Sequence, residues 1–237
     1  MSTASVIEWG RERVRTGPWR GDRQVAYLTP VPDAPVPSPS FVRRCLDELA
    51  GQGFTRVVTG ALTPGEQAGF LAAGFTVEER LHLLAREVED LPGLPSGVRL
   101  RRALKADRPA VLQVDHLSFP PFWRLDDPGL EEAITATPRA RFQVAEDDDS
   151  AIGGYAVTGR AGRRGYLQRL AVHPDLRHRK VATALVVDGL RWCRRWRVER
   201  AVVNTQLTNE AALALYLSLG FRLQPQGLSV LSAGLSG

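Results

Sequence analysis

The stretch whose reading decides the fold is Tyr166–Ala182, YLQRLAVHPDLRHRKVA. Its first part, up to Val172, is apolar and short enough to be a strand. Pro174 then breaks the run, and four basic residues follow in sequence: Arg177, His178, Arg179 and Lys180. From Val181 onward apolar residues recur at helical spacing. The order strand, turn, cations, helix has a chemical consequence. The first turn of a helix leaves backbone N–H groups unpaired and carries the positive end of the helix dipole. A loop that brings further N–H groups and cationic side chains to that point is a site for a phosphate or pyrophosphate.

Working outward, the helix is predicted over Val181–Arg197, with Ala184, Leu185, Val187, Leu190 and Trp192 on its apolar side. A strand over Ala201–Thr205 follows, then a helix over Asn209–Leu219 closed by Gly220, and two strands within Phe221–Leu235. Upstream, Gly165–Val172 completes the strand that opens the motif. Arg139–Glu146 and Ala151–Thr158 read as a hairpin across Asp147–Ser150. Val98–Arg102 is a strand, Lys105–Leu117 a helix and Leu130–Thr135 a short helix, with an aromatic and proline loop at Phe119–Trp123 between the helices. LPGLPSG at Leu91–Gly97 is a linker.

The first ninety residues or so carry part of the same plan. Gln24–Thr29 is a strand, the prolines at 32, 35, 37 and 39 force an extended loop, and Ser40 is placed to cap a helix over Phe41–Ala50. Thr55–Thr59 is a strand, Pro64 opens a helix running to about Ala73, and Thr76–Glu87 contains strand. Met1–Arg23 gives only weak signals. Arg56–Phe75 (RVVTGALTPGEQAGFLAAGF) parallels Ala201–Phe221 (AVVNTQLTNEAALALYLSLGF): each is strand, turn, helix, Gly-Phe. With the Gly-Phe pairs superposed, Phe70 falls opposite Tyr216. The expected organisation is a degenerate half domain at 1–90, a linker at 91–97 and a full domain at 98–237, in an α/β (α+β) fold with a mixed central sheet flanked by helices.

Composition narrows the function. The chain of 237 residues has a net charge of +5, carried almost wholly by Arg, with Lys105 and Lys180 its two lysines. That balance suits a polyanionic ligand, although interspersed acidic residues also fit an ordinary solvated surface. Cys45 and Cys193 lie far from any CxxC or Cys/His cluster, which argues against a disulfide framework and against a zinc site. No metal is expected. With no signal-like N-terminus and no apolar run of membrane-spanning length, the expected location is the cytoplasm, with no membrane partner.

Tyr166–Leu223 resembles the acyl-CoA-binding half of the GNAT superfamily of N-acyltransferases. The residues that carry the resemblance are Leu170-Ala171-Val172-His173-Pro174, the loop Arg177-His178-Arg179-Lys180-Val181-Ala182 against the family's [QR]-x-x-G-x-[GA], and Asn209 with Ala212…Tyr216…Gly220-Phe221. By element order the resemblance extends over about residues 98–235. Within the superfamily the sequence is most similar to ribosomal-protein-alanine (RimI-type) acetyltransferases, and its tandem layout resembles that of mycothiol synthase. The resemblance implies an acetyl-CoA-dependent enzyme that moves an acetyl group directly to a primary amine of a protein N-terminus or small molecule, with no covalent intermediate.

It also implies roles. The pantetheine arm of acetyl-CoA would pair with the strand end at Leu170, Ala171 and Val172. Arg177, His178, Arg179, Lys180, Val181 and Ala182 would hold the pyrophosphate. Asn209 would fix the loop before the next helix or touch the CoA arm. Tyr216 would be the general acid for the leaving thiolate, leaving the first copy, with Phe70, inert. Two positions depart from the pattern. Lys180 stands at the family's central glycine, and helical angles there would keep its N–H available. Asn204 stands where RimI-type enzymes have the Glu base, so His173, His116, Asp115 and Glu146 are the remaining candidates for a base. Phe119, Phe122, Trp123 and Asp126 or Asp127 are candidates for acceptor recognition. Two rival readings are a non-catalytic acyl-CoA-binding regulatory module and a basic nucleic-acid-binding protein using Arg191, Arg194, Arg195 and Arg197. No nucleic-acid motif accompanies that charge.

Overall fold

The computed structural model describes residues 5–32 and 34–235. The extreme ends of the expected segments 1–90 and 98–237, and residue 33 in the proline-rich loop, lie outside the described residues. In chain order the strands and helices are β1 (Ser5–Trp9), β2 (Glu12–Pro18), β3 (Val25–Pro30), α1 (Pro39–Gly51), β4 (Arg56–Thr59), α2 (Pro64–Ala72) and β5 (Thr76–Glu87). There follow β6 (Arg99–Arg102), α3 (Arg108–Ser118), α4 (Asp127–Thr135), β7 (Arg139–Glu146), β8 (Ile152–Ala161) and β9 (Arg164–Val172). The chain closes with α5 (Val181–Arg195), β10 (Arg200–Gln206), α6 (Glu210–Ser218), β11 (Arg222–Leu223) and β12 (Leu228–Gly234).

The chain divides into two compact units. The first takes the chain up to Leu83 together with Thr205–Thr208 and everything from Gln224 on. The second is Leu84–Asn204 and Asn209–Leu223. This differs from the expected assignment of everything after residue 98 to one domain. The physical reason is strand pairing: β12 lies between β4 and β5, antiparallel to both, with Ser232 opposite Val58 and Leu228 opposite Leu81. A terminal strand that completes a distant sheet leaves no local signal in its own segment.

In the first unit the strand order is β1-β2-β3-β4-β12-β5. Alternation explains the two strands missed in the weak N-terminal segment. Ile7 in β1 is buried between exposed neighbours, and in β2 Val14 and Thr16 are buried on either side of the exposed Arg15, the period of a strand with one wet face. The core joins Leu28, Phe41, Val42, Cys45, Leu49, Val57, Phe70, Phe75 and Leu231. α1 begins at Pro39 rather than Phe41: Ser38, not Ser40, is its cap, accepting from the Phe41 N–H at 3.3 Å, because Pro39 fits the first helical position.

In the second unit the order is β10-β9-β8-β7-β6, with β7, β8 and β9 a continuous antiparallel meander. α3 and α4 pack with Val144, Tyr155, Val157 and Ala171. Residues of α5 and α6 share a cluster with Leu84, Val88 and Leu167, while the start of α5 packs with Ala145 and Ala156. α3 begins at Arg108 after a short 3-10 turn at Lys105–Asp107, later than the predicted start.

Candidate acyl-donor site

Two features of β9 build the site. The first is an irregularity in its pairing with β8. Val157 lies opposite Arg169 and Thr158 opposite Leu167, so Gln168 is an extra residue and the strand bulges there. The second is the short pairing with β10. These strands run parallel and pair from Arg200 opposite Arg164 to Val202 opposite Tyr166, and no further. Beyond that point β9 continues to Val172 and β10 through Val203 and Asn204 without a shared register. β8 satisfies the other edge of β9 as far as Gly154 opposite Val172. The edge of Leu167–Val172 turned towards β10 is therefore free for an extended ligand to pair with, apart from the Val172 carbonyl, which accepts from Ser118 Oγ at 3.1 Å.

β9 runs directly into the cationic loop. The His173 N–H donates to the Gly153 carbonyl at 2.8 Å, and the Leu176 N–H to the His173 carbonyl at 2.9 Å, which turns the chain back towards α5. Arg177, His178, Arg179 and Lys180 are all exposed. Lys180 is the N-cap of α5, at φ 61° and ψ 11°, and no side chain caps this helix. The condition of helical angles at Lys180 is therefore not met. Lys180 adopts the left-handed conformation, which a glycine would adopt without cost. His178, at φ 63°, does the same two residues earlier. The loop takes this turn without a glycine, at the expense of backbone strain, and the first-turn N–H groups at Val181 and Ala182 stay uncapped.

Asn209 is the N-cap of α6, its Oδ1 accepting from the Ala212 N–H at 3.1 Å. Tyr216, on α6, is only 5% exposed and meets Phe221 edge-on with ring centroids 5.7 Å apart. Burial raises its hydroxyl above the ordinary tyrosine range, so it holds its proton at any working pH. The structure thus places Leu170–Val172 and Arg177–Ala182 in one continuous run, and sets Tyr216 in the core of the same unit.

The candidates for a base are engaged elsewhere. Asp115 is fully buried and accepts from Arg169, Tyr155 and the Leu125 N–H. Glu146 pairs with Arg101 at 2.5 Å. His116 Nε2 lies 2.7 Å from the Leu125 carbonyl, and His173 Nδ1 accepts from the Asp175 N–H at 3.3 Å. Neither β9 nor β10 contains an Asp or Glu, and Asn204 is exposed. Of the acceptor candidates, Asp126 caps α4 through the Gly129 N–H at 2.8 Å, and Asp127 pairs with Arg108 at 3.1 Å.

Residues 108–221 match the Acetyltransferase (GNAT) family. The second unit thus carries a GNAT-family domain. A mycothiol acetyltransferase from Saccharomonospora viridis is 30% identical over 145 residues, covering 55% of this chain and 47% of that protein. The chain thus matches about half the length of that relative. A tandem GNAT protein from the clavulanic acid biosynthesis pathway superposes with a TM-score of 0.70 at 15% identity, over 95% of this chain and 79% of its own. The ribosomal-protein-S18-alanine N-acetyltransferase of Escherichia coli superposes with a TM-score of 0.50 at 16% identity, over 59% of this chain and 95% of its own. At these identities the two structures establish the fold, a GNAT domain in a two-part chain, and nothing about the acceptor. Among the described residues no helix is long and apolar enough to cross a membrane.

Proposed function

We propose that the second unit binds acetyl-CoA and transfers its acetyl group directly to the primary amine of a protein N-terminus or small molecule, in the cytoplasm. The observation that carries this reading is the early end of the β9–β10 pairing, which leaves a strand edge running into an uncapped, cationic helix start. The pantetheine arm pairs with Leu170, Ala171 and Val172 as a further strand would, and the pyrophosphate lies on the N–H groups of Val181 and Ala182 with Arg177, His178, Arg179 and Lys180 around it. Held this way, the thioester meets the amine without a bimolecular search. An N–H at the Gln168 bulge stabilises the oxyanion that develops on the carbonyl. Tyr216 gives its proton to the departing thiolate, and Asn209 sets the start of the helix that carries it.

With no carboxylate on either splayed strand, the amine proton leaves through water rather than to a dedicated side chain. The same absence favours a second reading, a regulatory module that binds acyl-CoA without turnover. Calorimetry with acetyl-CoA followed by a screen of amine acceptors for thiol release separates the two. Binding with turnover supports the transferase, binding without turnover supports the module, and failure to bind overturns both.

A further inference from the structure

Between α3 and α4 the aromatic loop at residues 119–125 is tied down from an unexpected direction. Asp115 has no exposure, and its carboxylate receives Arg169 Nε at 2.8 Å, Arg169 Nη2 at 2.9 Å, the Tyr155 hydroxyl at 2.5 Å and the Leu125 N–H at 2.8 Å. The Arg169 side chain is 10% exposed. It also donates to the Trp123 carbonyl at 2.7 Å, and its guanidinium carbon lies 3.5 Å from the centre of the Phe119 ring. His116 Nε2 meets the Leu125 carbonyl at 2.7 Å. The loop is therefore gripped at Phe119, at Trp123 and at both the N–H and the carbonyl of Leu125. The central grip comes from the strand residue that immediately follows the Gln168 bulge.

We propose that Arg169 is a positioning residue for acceptor binding: it fixes the aromatic loop to the bulged strand, so that the loop forms a rigid wall beside the thioester. This rests on the transferase reading above. A guanidinium suits the task because its planar fork engages Asp115 with two N–H groups, reaches the Trp123 carbonyl with one of them and stacks on Phe119 at the same time. Lysine offers only a point charge. Asp115 neutralises the buried cation. Phe122 and Trp123, in edge-on contact with centroids 5.0 Å apart, move with the carbonyl that Arg169 holds.

The test compares wild type, Arg169→Lys and Phe119→Leu, with acetyl-CoA as donor and an alanyl peptide and glucosamine as probes. Arg169→Lys keeps a cation for Asp115, and Phe119→Leu leaves the ion pair intact, so each variant retains a folded core. Expected in both is a rise of about tenfold in KM for the amine, with KM for acetyl-CoA and its calorimetric Kd within about twofold of wild type. Amide hydrogen exchange is expected to rise at residues 119–125 while β8 stays protected. If the amine KM does not change, or both KM values rise together, the positioning role is overturned and the transferase reading stands. A wild type that binds acetyl-CoA but acetylates neither probe overturns the transferase reading and this role with it.

Discussion

Lys180→Gly is expected to stabilise the protein, against the usual effect of introducing glycine. Lys180 sits at φ 61° and ψ 11°, inside the left-handed region. A side chain with a Cβ is strained there by about 1–2 kcal/mol. Glycine removes that strain but loses about 0.5–1 kcal/mol more backbone freedom on folding. The difference leaves a gain of about 0.7 kcal/mol, or a rise in Tm of about 2 °C for a chain of this size. Lys180→Ala is the control, since it removes the same charge and keeps the strain, and it is expected to leave Tm where it is. Acetyl-CoA binding then separates charge from shape. Loss of one cation beside the helix start weakens binding about two- to fivefold in alanine. Glycine loses the same charge but lets the phosphate approach the backbone, so its Kd is expected to fall below that of the alanine variant. Thermal unfolding and calorimetry on the three proteins decide the matter. A glycine variant less stable than the alanine variant would refute the left-handed geometry, and with it the account of how the loop survives without its glycine.

Tyr216→Phe is expected to lower kcat about a hundredfold while acetyl-CoA affinity stays within about twofold, because the ring packing on Phe221 is retained and only the donated proton is lost; steady-state kinetics beside calorimetry checks this. Burial pushes the Cys45 and Cys193 thiols up to about 12 from 9.0, so each contributes stability that is intact below pH 9 and lost as pH rises from 9 towards 12. The expected alkaline slope is about 1.4 kcal/mol per pH unit for each thiol, and denaturant titrations of the Cys45→Ala/Cys193→Ala protein should show a correspondingly shallower fall. Gly69→Ala places a Cβ 1.9 Å from the Pro37 carbonyl oxygen, a backbone atom that cannot step aside, so a loss of about 1–3 kcal/mol is expected in urea unfolding.

The second-unit site was legible because its signals are local. A strand, a proline turn, a run of cations and a helix start adjoin in sequence, and the structure keeps them adjoining from Leu170 to Ala182. The backbone of that loop was not legible. Nothing in the letters RHRK shows that His178 and Lys180 take left-handed angles, since neither is the glycine that would mark them. Arg169 was passed over because its partner lies 54 positions away. A signal did exist: Asp115 falls beside Val111 and Val114 on the buried side of α3, and a carboxylate on an apolar helix face must find a cation. β1 and β2 were hidden by their brevity, and the alternation of Val14 and Thr16 with charged neighbours was the trace they left. The placement of β12 had no local trace at all, because its partners Val58 and Leu81 are specified only by the finished sheet.

Each unit contains the order strand, loop, helix, strand, helix, and the difference between them shows what a ligand site requires. In the first unit β3 and β4 pair along the whole of β4, from Val25 opposite Arg56 to Leu28 opposite Thr59, so no strand edge opens. The start of α1 is occupied from within: Ser38 caps it, and the Glu12 carboxylate accepts from both the Ser38 N–H and the Ser38 hydroxyl, the latter at 3.1 Å. A carboxylate at that point stands in for a phosphate, satisfying the same positive helix end. Gly69 admits the Pro37 carbonyl close against α2, and Phe70, opposite Tyr216 in the repeat, is fully buried against Phe75. Every group that the second unit leaves open is here satisfied by the protein itself. A shared order of elements therefore does not by itself give a site; the proposed one rests on an unpaired strand edge and an uncapped helix start, which occur together where β9 runs into α5.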